Sequence, residues 1–141
     1  MVDMAMLEDQ PLGYLLYRVV AVLQPAVSAE LRPLGLTLPE FVCLRILSMS
    51  PGQSNADLAR HTNVSPQAMN HVLRGLQDRG AVERPASVSS GRARPAQLTL
   101  DGAALLGRAE AAVRGAENAV LSRLDKSQRC DLRRLLAGAV D

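Results

Sequence analysis

The chain has 141 residues, 48% of them hydrophobic, 21% charged and only 2% aromatic, with a formal charge of +2. That length and apolar content exclude a disordered chain and suit one domain, or two small modules sharing a core. Two cysteines, Cys43 and Cys130, with no CxxC pair, exclude a disulfide-dense secreted scaffold and a zinc finger.

Few aromatics beside abundant Ala, Leu and Arg point to a mainly α fold. The most apolar early run, residues 12–27, follows Asp3, Glu8 and Asp9 rather than a basic segment, which argues against a signal peptide. With Arg18 in its middle and Pro25 near its end, it reads as too short and too interrupted for a membrane span. A soluble, cytoplasmic protein without a membrane partner is the expectation.

Leu12, Leu15, Leu16, Val19, Leu23, Ala26, Val27, Leu31 and Leu34 recur at three- and four-residue steps, one apolar stripe on a long helix. Pro25 should bend that helix without ending it, and Gly35 closes the segment. Thr37-Leu38-Pro39-Glu40 reads as a capping box opening a second helix with Phe41, Leu44, Ile46 and Leu47. Ser50-Pro51-Gly52 stops it.

Ser54-Asn55-Ala56-Asp57 repeats the capping logic before a short helix ending near His61. After a tight turn at Thr62-Asn63-Val64, Ser65-Pro66 starts another helix with Met69, Val72, Leu73 and Leu76 inward and Gly80 as its stop. Two short capped helices joined by a tight turn make a helix-turn-helix. Ala81–Arg84 and Ala96–Leu98 are short enough to pair as a hairpin around a polar loop, Pro85–Pro95, which makes a wing; Pro95 keeps the second strand brief or at an edge. Thr99 caps a helix carrying Leu105, Ala109, Ala112, Val113, Ala116 and Val120, and Asp125-Lys126-Ser127-Gln128 caps a last helix with Leu132, Leu135, Leu136 and Ala139.

The small net charge hides an asymmetry. Residues 54–100 hold Arg60, Arg74, Arg79, Arg84, Arg92 and Arg94 against Asp57, Asp78 and Glu83, a local +3 that leaves −1 elsewhere. Lys126 is the only lysine. Arginine suits bidentate phosphate and guanine contacts, although coding bias produces the same enrichment.

These residues resemble the MarR family of winged helix-turn-helix transcriptional regulators. The likeness runs through Asn55-Ala56-Asp57-Leu58-Ala59-Arg60, Val64-Ser65-Pro66-Gln67-Ala68-Met69 and residues 73–84 (Leu-Arg-Gly-Leu-Gln-Asp-Arg-Gly-Ala-Val-Glu-Arg). It continues through the Arg-bearing wing to Leu98-Thr99-Leu100-Asp101-Gly102, similar to the family's Leu-Thr-x-x-Gly helix start. One departure lies in the wing: the family's Asp-x-Arg reads Ser90-Gly91-Arg92 here, so Arg92 keeps its place without its carboxylate partner.

The resemblance implies a homodimer, with residues 1–36 and 101–141 as a helical dimerisation platform and residues 37–100 as the DNA-binding lobe. It implies repression from a palindromic operator in double-stranded DNA, relieved when a small aromatic or phenolic effector binds between lobe and platform. The expected DNA contacts are Ser65, Gln67, Ala68, Asn70, His71 and Arg74 on the second helix of the motif, since Gln and Asn pair bidentately with adenine and Arg with guanine. Arg92 and Arg94 are expected at the minor groove, the alternative being a solvated turn. Arg84 either touches phosphate or pairs with Asp78 or Glu83. Tyr17, Arg18, Phe41 and Met49 are candidate effector ligands, with Arg18 available for a carboxylate; ordinary core packing is the alternative.

His61 and His71 stand on different helices and fall short of the roughly four ligands of a closed metal site. They leave a metal-responsive regulator of the same fold as an alternative only, and no metal or cofactor is expected. Cys43 reads as a buried small hydrophobe, and Cys130, beside Arg129 and near Arg133 and Arg134, as the candidate for a thiol-redox alternative. Neither a Walker loop, a GxGxxG nor a nucleophile with a base is present, so no catalysis is expected. A helical dimer that only scaffolds other proteins is the remaining rival.

Overall fold

The computed structural model describes residues 3–84 and 95–140. Along them run α1 (Met4–Glu8), α2 (Leu12–Leu31), a 3-10 turn (Arg32–Leu34), α3 (Leu38–Met49), α4 (Asn55–Thr62), α5 (Pro66–Asp78), β1 (Val82–Glu83), β2 (Gln97–Leu98), α6 (Leu100–Val120) and α7 (Lys126–Val140). The fold is mainly α with one small antiparallel hairpin, pairing Val82 with Leu98 and Glu83 with Gln97.

Local capping chemistry sets most boundaries. The Thr37 hydroxyl accepts from the Glu40 amide at 3.3 Å while the Glu40 carboxylate accepts from the Thr37 amide at 2.9 Å. Ser54 and Asp57 form the same reciprocal pair at 3.1 Å in both directions. Each box satisfies amides that a helix start leaves without partners. Asp125 and Gln128 exchange equivalent bonds at the start of α7, 2.9 and 2.8 Å.

Two features depart from the sequence reading. A short helix, α1, precedes the long one, capped by the Asp3 carboxylate accepting from the Ala5 amide. A third segment also joins the hairpin: Gln53, just before α4, bridges Ala96, with the Gly52 amide donating to the Ala96 carbonyl at 2.9 Å and the Ala96 amide to the Gln53 carbonyl at 3.0 Å. A one-residue bridge carries no alternation of apolar and polar positions, so it leaves no pattern to read.

The core is built by Leu31 from α2, Cys43, Leu44 and Leu47 from α3, Leu58 from α4, Met69, Leu73 and Leu76 from α5, and Leu105, Leu106, Ala109, Val113 and Ala116 from α6. Gly102 is required where α6 starts: a Cβ there would lie 1.9 Å from the Ala81 carbonyl oxygen. The Thr99 hydroxyl donates to the Gly80 carbonyl at 2.5 Å and accepts from the Gly102 amide at 3.0 Å. The Thr-x-x-Gly step therefore joins helix start and strand in one close approach.

The long stripe of α2 buries only its C-terminal part. Val27 and Leu31 are in the core, whereas Leu12 is 78% exposed and Tyr14, Leu16, Tyr17 and Val19 are also exposed. Helix α7 has no buried residue, and its Leu135 is 60% exposed. Pro25 sits inside α2 without ending it. The expectation that this run is too short and too interrupted to span a membrane is corrected on those two counts. The segment Leu12–Leu34 has 23 residues and holds an 18-residue window of mean hydropathy 1.3, enough by length and composition, because Arg18 and Pro25 do not offset the Leu and Val content around them.

Candidate nucleic-acid interface

Helix α5 is held by three different devices. At its start the Ser65 hydroxyl accepts from the Ala68 amide at 3.1 Å, with Pro66 as first helical residue. Along its inner side Met69, Leu73 and Leu76 are fully buried. At its end the Ala81 amide donates to the Leu76 carbonyl at 2.9 Å, with Gly80 at φ +75° making a left-handed turn that favours glycine.

With one face so anchored, Gln67, Ala68, Asn70, His71, Arg74 and Gln77 are all exposed. Residues 67, 70, 71 and 74 follow the i, i+3, i+4, i+7 spacing of a single helix face. Among the described residues Arg74 has no carboxylate within ion-pair distance. The motif brings Gln67, Asn70, His71 and Arg74 onto one surface, while Ser65 is committed to its cap and Ala68 lies beside them.

The angle between α4 and α5 is also fixed. Asn63 adopts the left-handed conformation, φ 54°, at the end of α4, a geometry Asn tolerates better than most side chains. The Asn55 side-chain amide donates to the Pro66 carbonyl at 3.2 Å, tying the two helix starts together.

The local basic excess proves less free than the charge count implies. Arg60 pairs with Asp57 one turn earlier. Arg79 donates to two backbone carbonyls, Leu34 and Gly35, both at 2.9 Å. Arg84 is half-buried, near enough to Cys43 for its charge to act on the thiol. Its two expected acids, Asp78 and Glu83, are both exposed, and Glu83 accepts from the Gln97 side chain at 3.0 Å. Arg92, Arg94 and Ser90 lie outside the described residues.

The candidate effector ligands do not converge. Phe41 lines a cavity of about 260 Å³ with Arg45, Glu110, Val113, Arg114, Glu117 and Arg133. Tyr17, 71% exposed, and Arg18 stand on the open side of α2, where Arg18 lies 6.0 Å from the centre of the Tyr14 ring. Met49 is 67% exposed at the end of α3. Sequence reasoning missed Arg45, Glu110 and Arg114, which α3 and α6 bring together. Their only signal was a set of charges close to apolar stripes.

Burial pushes the Cys43 thiol up to about 12, against a smaller opposing pull from Arg84 and with a further push from Glu40. Cys130 is exposed. Its neighbour Arg129 is occupied at the end of α6, donating to Asn118 at 2.6 Å and to the Leu121 and Leu124 carbonyls at 3.0 and 3.1 Å.

A capped helix-turn-helix with a polar outer face, followed by a hairpin and flanked by long helices, defines a winged helix-turn-helix protein. The sequence model of the MarR family matches residues 36–93. The chain is 65% identical over 133 residues to the HTH-type transcriptional repressor Rv2887 of Mycobacterium tuberculosis, covering 94% of this chain and 96% of that protein. Two crystal structures of that M. tuberculosis MarR family protein superimpose closely. Its complex with salicylic acid has a TM-score of 0.79 at 66% identity, covering 92% of this chain and 96% of that one. Its complex with DNA has a TM-score of 0.81 at 59% identity, covering 94% and 100%. The chain belongs to the MarR family of transcriptional regulators.

Proposed function

We propose that this chain is a cytoplasmic, homodimeric repressor that binds a palindromic operator in double-stranded DNA and releases it when a small aromatic acid binds. The observation that carries this reading is the outer face of α5, where exposed Gln67, Asn70, His71 and Arg74 share one surface on a helix anchored at both ends. Such side chains reach base edges when a helix lies in the major groove. Ser65 and Ala68 approach the backbone at the helix start, Arg84 stands at the wing base, and Arg92 with Arg94 extends the contact along the wing. The 65% identity to a transcriptional repressor supports the direction of regulation.

Residues 1–36 and 101–141 form the dimer platform and residues 37–100 the DNA-binding lobe. The exposed apolar side chains of α2 and α7, Leu12, Leu16, Val19, Leu135 and Leu136, supply a seam that a second copy covers. A face of this size left to water is unfavourable for a monomer. It also gives α2 an aqueous role in place of a membrane one.

The effector site lies between α3 and α6, in the cavity lined by Phe41, Arg45 and Arg114, where a ring packs on Phe41 and a carboxylate meets guanidinium. Tyr17 and Arg18, on the side of α2 that dimerisation covers, enter the site only in the assembled dimer, and the exposed Met49 at the end of α3 joins them there. The salicylic acid complex of the relative supports this ligand class.

The test is fluorescence anisotropy with a labelled palindromic fragment from the chain's own upstream region, titrated with protein and then with salicylate. Specific binding that salicylate reverses supports the reading. Binding that ignores sequence, or a specific complex indifferent to every aromatic acid tried, overturns it in its DNA or its effector half respectively.

A further inference from the structure

Two helix ends of the same sign meet where the DNA-reading helix finishes. Helix α2 and its 3-10 turn finish at Gly35, which is left-handed at φ +70°, and α5 finishes at Arg79. Both are C-terminal ends, where carbonyls lack helical partners and the dipole is negative. The Arg79 side chain spans the gap. One terminal nitrogen donates to the Gly35 carbonyl and the other to the Leu34 carbonyl, each at 2.9 Å.

The two contacts use the planar fork of a guanidinium, which fixes an orientation that a lysine ammonium cannot. The residue bearing the fork is itself held: the Arg79 amide donates to the Gly75 carbonyl at 3.2 Å, and the Ala81 amide to that of the fully buried Leu76 at 2.9 Å. Among the described residues no carboxylate pairs with Arg79, so its charge is directed at the end of α2.

We infer that Arg79 is a positioning residue that sets the angle of the recognition helix against the dimer platform, and thereby the half-site spacing the protein selects. This rests on the dimeric operator reading proposed above. At 1.5 Å per residue α5 is about 20 Å long, so a tilt of about 5° at its clamped end carries Gln67 by roughly 2 Å. Hydrogen bonds to base edges do not survive such a shift. In a twofold dimer both helices move, and the separation between the two readers changes by the sum.

The experiment compares the full-length protein with Arg79→Lys and Arg79→Gln on three palindromes: the preferred spacing and spacings one base pair shorter and longer. Anisotropy is read over a range of salt, with thermal melts in parallel. The wild type should prefer one spacing, and both variants should lose roughly tenfold at that spacing while holding their affinity for the other two, with the salt slope unchanged. If Arg79→Gln melts too early to bind, Arg79→Lys carries the test, since it keeps charge and length. Wild-type behaviour of Arg79→Lys at every spacing overturns the inference. So does uniform weakening of Arg79→Gln with a salt slope smaller by about 2 per dimer, the mark of a phosphate contact. A wild type that sediments as a monomer, or shows no spacing preference, defeats the dimeric operator reading itself and is recognised before any variant is made.

Discussion

Arg45 of α3 donates to the Glu110 carboxylate of α6 at 3.0 Å, and Arg114, one turn on, approaches the other oxygen of the same carboxylate at 3.8 Å. One acid thus holds two guanidinium groups that line the cavity beside Phe41. The Arg45 side chain is 52% exposed and Glu110 24%, so the ion pair contributes about 0.2–1 kcal/mol to stability. Its larger consequence is competition: a bound carboxylate must take these arginines from Glu110. Glu110→Gln is expected to tighten salicylate binding up to about fivefold, with a melting temperature close to wild type. Calorimetric titration checks it; unchanged or weaker binding counts against this cavity as the effector site.

Side chains on α5 and in the wing should fail differently on DNA. Gln67→Ala is expected to relax sequence preference at a cost of about 1–3 kcal/mol per lost base contact, and Arg74→Ala to weaken each half-site. Arg92→Ala should weaken specific and non-specific binding alike and lower the salt slope by about 2 per dimer. Anisotropy on the operator and on a scrambled duplex separates the two patterns. An Arg92→Ala variant with wild-type affinity and slope would show that the wing stays off the DNA.

Glycines on α6 should respond in opposite directions. A methyl group at Gly102 meets the Ala81 carbonyl oxygen at 1.9 Å and its carbon at 2.8 Å. Backbone atoms cannot yield as a flexible side chain would, so Gly102→Ala should destabilise by about 1–3 kcal/mol or more. Gly107 has nothing within 4 Å of such a methyl, and Gly107→Ala should stabilise by about 0.5–1 kcal/mol. Urea denaturation midpoints measure both.

The thiols should differ in reactivity. Cys130 is exposed and Cys43 buried, so a maleimide reagent should modify Cys130 in the native protein and reach Cys43 only on unfolding. Because burial raises the folded thiol from 9.0 to about 12, the native state keeps this proton where the unfolded chain has lost it. The stability linked to Cys43 is complete below pH 9 and declines as pH rises towards about 12. Cys43→Ala should flatten the fall in that window, as read by denaturation at stepped pH.

Deleting residues 125–141 removes Leu132, Leu135 and Leu136 from the proposed seam. Sedimentation should then find a monomer or an aggregate where the full chain is a dimer at micromolar concentration. A well-folded monomeric full-length protein would refute this account of α2 and α7.

Contiguous residues by themselves determined the helix boundaries and the class of fold. The Thr37–Glu40, Ser54–Asp57 and Asp125–Gln128 exchanges each close within three residues. Their geometry is local and needs no partner elsewhere, as is true of the stripe that buries Met69, Leu73 and Leu76 and leaves Gln67, Asn70 and Arg74 outside. The tertiary structure decided how the charges are used. Arg79 reaches Gly35 across 44 positions, Arg45 reaches Glu110 across 65, and Gln53 meets Ala96 in a single bridge. An arginine committed to a distant carbonyl carries the same letter as one presented to DNA. What separates them is which helix ends the packed core places side by side, and no local pattern encodes that distance.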